Sequence, residues 1–451
     1  MGRIQHLMRS VERQPVRWLG GIFAAALLLR GLALWLTLDT PAAGDEPELY
    51  MRSVRLAWGG GFADDAGRAP GLLVFYAAAF HLLETAPFAA KLANGLVSSL
   101  TVLPIYAIGR RFGGSQVGLL AAAGVAFYPT FVAFSHFLWS APLYMLLVAW
   151  GVAILLRAVD EPRPIWLAAA GVVLGASALV KEAGLLFPLA AVAWVVWRER
   201  DDVARAALRT GVLTSAIVLT LAPWVIHVNE PGQPFVLVTR TGSMNLFIGN
   251  HPLSHGHGMR EYPNLGATRL DVERVARERA WAEIRERMPG WPLEKLATEV
   301  PRFFTPTSFA VRRLLAAPDD PGGWGYRFRF AWGDRRDARV AAVVPVVASY
   351  GVVALAGVAG LVLAQRRDLA TLFGLFIASQ IAPSVVTFAM SRFRLASMLF
   401  LILGAAAFAA SGRRDIGEAS LARRATAVGT VLLVLLFICM DYRAVLESTG
   451  R

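Results

Sequence analysis

Three carboxylates fall within four positions in the stretch Gly44-Asp45-Glu46-Pro47-Glu48-Leu49-Tyr50, directly after the first long apolar run of the chain. A carboxylate set against a membrane surface is costly to desolvate and is rarely placed there without a partner or a task. The task it suits is taking a proton from a nucleophile. Its natural partners are cations, and Arg68, Lys181, and Arg392 with Arg394 all sit at the ends of apolar runs. Lys181 stands out, because only three lysines occur among the 45 Lys and Arg residues.

The elements that must position these groups are membrane spans. With 451 residues, 56% hydrophobic and only 17% charged, the chain lies outside the soluble globular range and inside the polytopic membrane range. The net charge of +13 sits mostly in short Arg clusters between apolar runs, which is the positive-inside pattern and not a nucleic-acid patch. The single cysteine, Cys439, supports neither a disulfide frame nor a thiolate metal site.

Arg3, Arg9, Arg13 and Arg17 place the N-terminus in the cytoplasm, and the first run, 18–38, is read as an uncleaved span. The stretch 70–83 is too short to cross, and counting it as a span would invert every later Arg cluster, so it is read as an interfacial helix. Spans then follow near 87–109, 115–134, 138–157, 165–180, 183–197, 210–227, 340–363, 369–388, 392–410 and 424–440. The expected architecture is all-α, with eleven spans, outer loops at 39–86 and 228–339, and a membrane module over 1–410. Residues 411–451 add a last inner loop, the last span and a short outer tail. Within the large loop, 268–287 carries apolar residues at helical spacing and stops at Pro289-Gly290, which predicts an amphipathic helix on the bilayer.

In this topology the carboxylates and the four named cations share the outer face. Cations beside carboxylates at that surface are what an enzyme acting on a lipid phosphate needs: the cations hold the phosphate and a carboxylate takes the proton. The bland alternatives are solvated loop charges at Asp45 and Glu46, headgroup snorkelling by Arg392 and Arg394, and a local ion pair at Lys181-Glu182. His251, His255 and His257 lie in a Gly-rich loop at no ligand spacing, so they are read as loop histidines and no metal is assigned. Arg30, inside the first span, costs about 2.5–3.5 kcal/mol in lipid and is expected to pack inward against a carboxylate or backbone carbonyl.

Taken in order, these residues resemble a known group. Asp45-Glu46 with Tyr50, then Arg68-Ala69-Pro70-Gly71, is similar to the first periplasmic loop of the GT-C superfamily of integral-membrane glycosyltransferases. Leu179-Val180-Lys181-Glu182, Ala222-Pro223-Trp224, Asn245 through Pro252, and Ser391-Arg392-Phe393-Arg394-Leu395 are similar to further elements of its bacterial branch. That branch is related to protein O-mannosyltransferases and the lipid A aminoarabinose transferase. Where it carries an acidic residue between the third and fourth spans, this chain has Ser140-Ala141-Pro142.

The resemblance implies Asp45 as base on the acceptor, with Glu46 beside it. It also implies donor contacts from Arg68, Lys181, and Arg392 or Arg394, with Tyr50, Asn250 and His251 among the substrate-binding residues. The donor would be a polyprenyl-phosphate sugar, used without a nucleotide sugar, with no certain cofactor and no obligatory divalent metal. The expected setting is a bacterial inner membrane with the site facing outside. Membrane lipids would be partners, and the acceptor a glycan, lipid or protein. The rival readings are a lipid-linked sugar flippase or transporter, which would favour paired repeats with broken helices, and a non-catalytic assembly subunit.

Overall fold

The computed structural model describes residues 13–62, 66–229, 235–252, 263–306, 308–317, 326–329 and 335–440. Every regular element among them is helical. In chain order these are α1 (Pro15–Leu36), α2 (Glu46–Ala57), α3 (Pro70–Leu82), α4 (Pro87–Leu100), α5 (Val102–Gly113), α6 (Ser115–Phe127), α7 (Pro129–Phe134), α8 (Ala141–Asp160) and α9 (Pro164–Val180). A 3-10 turn at Glu182–Leu185 leads into α10 (Leu186–Arg198) and α11 (Val203–Val228). Then come α12 (Gly242–Asn250), α13 (Arg269–Glu286), α14 (Trp291–Phe303) and α15 (Phe309–Leu315), followed by α16 (Arg336–Leu363), α17 (Arg367–Val386), α18 (Leu395–Glu418) and α19 (Leu421–Met440). Proline opens many of these helices, α1, α3, α4, α7 and α9 among them, where its missing N–H costs nothing.

Eight helices among the described residues are long and apolar enough to cross a membrane: α1, α4 with α5 as one continuous stretch, α8, α11, α16, α17, α18 and α19. They coincide with eight of the eleven expected spans. The other three positions hold α6, α9 and α10, of 13, 17 and 13 residues. At 1.5 Å per residue these reach only about 20–26 Å, short of the roughly 30 Å hydrocarbon layer. The 70–83 stretch is likewise a 13-residue helix, α3, too short to cross, as expected. It packs between α2, α4 and α9, with Leu72, Leu73, Tyr76 and Phe80 buried.

The two ends of the bundle differ in chemistry. At one end Arg111 pairs with Asp160 at 2.8 Å, Arg198 with Asp368 at 2.5 Å, and Arg366 donates to the Arg111 carbonyl. These clusters were expected on one side, and the fold gathers them there. The end of α1, the starts of α2 and α3, and the end of α9 meet at the other.

Arg30 lies buried in α1 and takes the second of its expected partners. It donates to Ser98 Oγ and to the carbonyls of Val125 and Ala126, the last turn of α6. A guanidinium there answers the unpaired carbonyls and the negative end of that helix.

In the large loop, α13 starts at a capping box formed by Thr268 and Asp271. Its inner face, with Ala276, Ala280 and Val272, packs on Phe247 and Met244 of α12, so much of what was expected to meet the bilayer meets protein. α14 and α15 cover the bundle beside it.

The joint that matters for the site is where α3 meets α9. A Cβ built on Gly71 would lie 2.9 Å from Val180 Cγ2 and 3.0 Å from the Leu179 carbonyl oxygen, so only glycine admits this approach. Gly71→Ala is therefore expected to push α3 off α9 and to destabilise by about 1–3 kcal/mol, the usual cost of overpacking. A lowered thermal midpoint of the detergent-solubilised protein checks this.

Candidate active site

The cation-and-carboxylate end of the bundle holds a cavity of about 1130 Å³. Its polar wall is made by Asp45, Glu48, Arg68, Lys181, Glu182, Thr239, Thr241 and Arg392, and its apolar wall includes Leu72, Phe134, Val180, Leu186, Ile248 and Phe388.

Gly44 takes φ +61, a left-handed conformation open to glycine at little cost, and this turns the chain into α2. Asp45 is then the residue before the helix and Glu46 its first. The turn sends the two neighbouring carboxylates different ways. Asp45 faces the cavity: its Oδ1 accepts from Arg68 Nη2 at 3.0 Å, and its Oδ2 lies 3.6 Å from Arg392 Nη1. Glu48, one turn into α2, accepts from Arg68 at 2.5 and 3.1 Å and from Arg52 at 2.8 Å. Burial pushes the Glu48 carboxyl up, but Arg68 and Arg52 outweigh it and hold the group below its ordinary value.

Glu46 is not in the cavity. It is 1% exposed, and its Oε2 accepts from Arg313 Nη1 at 3.1 Å and from the Ala43 amide at 2.9 Å. Its Oε1 accepts from the Leu138 amide at 2.8 Å. A carboxylate with both oxygens occupied by buried donors ties three segments together and does not line the cavity.

The cations divide in the same way. Arg392 lies over the Trp139 ring at 4.9 Å and faces Asp45. Lys181, just beyond the last turn of α9, holds its ammonium 5.3 Å from the Tyr144 ring and 5.6 Å from the Phe393 ring. No hydrogen-bond acceptor or carboxylate meets it among the described residues. Burial, and after it the charge of Arg392, push Lys181 down to about 8. Arg394 turns away: it donates to the carbonyls of Phe303 and Thr305 and stacks on Tyr350 at 3.9 Å. The loop that carries Arg392 is pinned from α14, where Glu299 accepts from the Ala389 amide and Lys295 donates to the Thr387 carbonyl.

Three other expected site residues also lie outside the cavity. Tyr50 donates to the Thr85 carbonyl and packs edge-on against Phe80. Asn250 is buried, donating to the Leu246 and Val386 carbonyls and accepting from Trp291 Nε1. His251 follows α12, with its ring against Phe247. His255, His257, Asp64 and Asp65 lie outside the described residues. Among the described residues no group of three His, Cys, Asp or Glu side chains gathers that could hold a metal ion. The cavity residues that sequence reasoning passed over are Glu48 as the holder of Arg68, and Thr239, Thr241 and Arg240; the alternation Thr-Arg-Thr was their only local signal.

Because Glu46 and Arg313 are each almost fully buried, removing one charge strands the other. Glu46→Gln is expected to destabilise the protein by about 3–5 kcal/mol, and Arg313→Met in the same chain should return part of that. Thermal unfolding of the two single variants and the double variant measures it; additive losses would show that the two residues do not act as a pair.

Residues 67–227 match the family model described as dolichyl-phosphate-mannose-protein mannosyltransferase. No curated protein matches the sequence. Among solved structures, the Archaeoglobus fulgidus oligosaccharyltransferase tethered with an acceptor peptide containing the NVT sequon is similar at a TM-score of 0.53 and 15% identity, over 98% of this chain and 55% of that one. The oligosaccharyltransferase AglB of the same organism, in complex with an inhibitory peptide and a dolichol-phosphate, gives 0.53 and 13% identity, over 97% and 56%. ArnT from Cupriavidus metallidurans bound to undecaprenyl phosphate is a looser likeness, at 0.45 and 16% over 88% and 79%. The chain spans about half the length of the archaeal chains it matches. It is a multi-pass membrane protein with the GT-C fold, and the resemblance to GT-C glycosyltransferases carried by its motifs is matched by both the family segment and the architecture.

Proposed function

We propose that this chain transfers a sugar from a polyprenyl-phosphate donor to an acceptor hydroxyl or amide, with Asp45 as general base. The observation that carries the reading is one cavity in which Asp45 is held between Arg68 and Arg392, beside Lys181, which meets no carboxylate among the described residues, and next to an apolar wall. The family match spans Arg68 and Lys181, and the archaeal neighbours include one with a dolichol-phosphate and one with an acceptor peptide. By the distribution of Arg clusters the cavity faces the outside, and the resemblance to the bacterial branch implies a bacterial inner membrane.

The donor's phosphate is the natural anion for Lys181, Arg392 and Arg68. As it engages the two guanidiniums it competes with Asp45 for them, which frees a carboxylate oxygen for the acceptor's proton. The acceptor atom then attacks the anomeric carbon, the bond from that carbon to the phosphate oxygen breaks, and the electron pair leaves on the phosphate. The cations stabilise the charge that develops there. Asp45 takes the proton, and a single displacement of this kind inverts the anomeric centre. The isoprenoid chain lies along the apolar wall. The sequence and cavity leave the acceptor at the level of a glycan, lipid or protein, and no step calls for a metal.

Asp45→Asn keeps the shape and removes the base, so kcat should fall by about two to four orders of magnitude while polyprenyl phosphate still binds. Release of polyprenyl phosphate from a panel of lipid-linked sugars, measured beside affinity for the sugar-free lipid, checks it. Transfer at near wild-type rate by the variant would remove Asp45 from the chemistry, and a wild type that moves the lipid across vesicles without releasing it would be a transporter.

Lys181 makes a second prediction. Its charge is present below pH about 8 and is lost as pH rises through that value, so kcat/KM for the donor should fall on the alkaline side. Lys181→Arg keeps the charge throughout and should flatten that limb; an unchanged limb would assign it to another group.

A further inference from the structure

We infer that Glu182, with Thr239 and Thr241, forms a subsite that reads the hydroxyl groups of the donor's sugar and so sets which sugar is used; this rests on the glycosyltransferase reading above. Lys181 and Glu182 are neighbours whose side chains part company. Lys181 goes to the Tyr144 and Phe393 rings on the cation side, whereas Glu182 goes to the two threonines on the other wall of the same cavity.

The donor and acceptor inventory of that wall points to the ligand. Thr239 and Thr241 each donate to Glu182 Oε2 and lie 2.8 Å from one another. A hydroxyl has one hydrogen, so these contacts use what the threonines can donate and leave their lone pairs free. Oε1 of Glu182 takes no hydrogen bond, and no cation pairs with Glu182, among the described residues. Arg240 and Glu273 line the cavity beside them but answer one another at 3.1 Å, so the wall offers acceptors and the charge of Glu182. A phosphate would be repelled there, whereas a polyol that donates O–H groups would be held. The opposite wall, with Arg68, Lys181 and Arg392, offers donors and positive charge. A molecule with a phosphate at one end and a hydroxylated ring beside it fits this cavity in one orientation only.

The threonines are held firmly. Between them Arg240 points the other way, to Glu273 at 3.1 Å, and its amide donates to the Ala66 carbonyl, two residues before Arg68. Arg240 lies between the two threonines at the bend that leads into α12, so anchoring it holds the segment whose two hydroxyls both reach Glu182. Asn245, a turn further on in α12, lines the same cavity.

The test uses the full chain in lipid nanodiscs, with sugar-free undecaprenyl phosphate, a panel of undecaprenyl-phosphate hexoses and their single deoxy analogues. Glu182→Gln is expected to raise KM for the hydroxylated donor about ten- to hundredfold, the worth of a hydrogen bond to a charged group. The affinity for sugar-free undecaprenyl phosphate should stay within about twofold. One deoxy donor should lose little on the same substitution, because it already lacks the group that Glu182 reads. Thr241→Val should show the same pattern more weakly, and Glu182→Asp should recover part of the loss. Equal losses for sugar-free and sugar-bearing lipid would make Glu182 structural and overturn the subsite, as would no loss with any donor. If the wild type binds undecaprenyl phosphate but releases it from no sugar donor, the glycosyltransferase reading itself fails and takes the subsite with it, a result separable because it appears before any variant is made.

Discussion

The site depends on a buried ion pair that takes no part in its chemistry. Glu46 and Arg313 meet 267 residues apart in sequence, and the Glu46 carboxylate also collects the amides of Ala43 and Leu138. A pair buried this deeply pays a desolvation penalty that only good geometry and added hydrogen bonds offset, and here both oxygens have partners. The result is a fixed crossing point of the first loop, the segment between α7 and α8, and α15. Asp45 is the next residue back along the chain, so its direction into the cavity follows from where Glu46 is held. Arg313 also donates to the Pro41 carbonyl and lies over the Phe137 ring at 4.8 Å, which fixes the other side of the same turn.

Around Asp45 the electrostatics are deliberately unfinished. Glu48 is fully engaged with Arg52 and Arg68 and stays ionised, so Arg68 is oriented whether or not a ligand is present. Among the described residues Arg392 has a long contact to Asp45 and the Trp139 and Phe393 rings beside it, and Lys181 meets the Tyr144 and Phe393 rings and no carboxylate. Cation–π contacts hold a guanidinium or ammonium in place without neutralising it. On this side of the cavity Arg68, Lys181 and Arg392 face Asp45 and Glu48, one cation more than carboxylates, which favours an anion there; Lys181 is depressed chiefly by its burial and only then by Arg392. Ser140 and Ala141, where the resembling branch has an acid, line this same cavity. An additional carboxylate there would have offset part of the charge that Lys181 and Arg392 now present.

Much of this was legible from the chain. Periodicity and length gave the long helices, and the Arg clusters paired them by end, because both are set by the bilayer and need no knowledge of packing. Asp45, Arg68, Lys181 and Arg392 were visible as charges where a span ends. What was not legible is direction. Arg392 and Arg394 are two residues apart and look equivalent, yet one faces the cavity and the other caps carbonyls of α14 and the turn after it. Asp45 and Glu46 look equivalent for the same reason. Each distinction is made by a partner distant in sequence, Arg313 for Glu46 and Phe303 for Arg394, and no local pattern announces it. Asn250 and Tyr50 bond backbone carbonyls and do not line the cavity, which the chain does not announce, because a polar residue near a motif reads the same whether it serves a ligand or satisfies the fold.

The short helices set the depth of the polar cavity. α9 has 17 residues and α10 has 13, so if their other ends sit at the membrane surface, marked by the Arg111, Asp160, Arg198 and Asp368 pairs, they rise only about 26 and 20 Å. The hydrocarbon layer is roughly 30 Å thick. Lys181 and Glu182 at their junction then lie several Å below the far surface, in a cavity walled in part by α12 and α13. In the proposed reaction a headgroup would reach them without its chain leaving the apolar layer, because Val180, Leu185 and Leu186 line the same cavity beside the charges. Longer helices would have lifted the same residues into water, where their interactions with a phosphate are weaker. Irregular, polar structure at membrane depth is tolerated where protein surrounds it, and the loop helices that wall this cavity provide part of that enclosure.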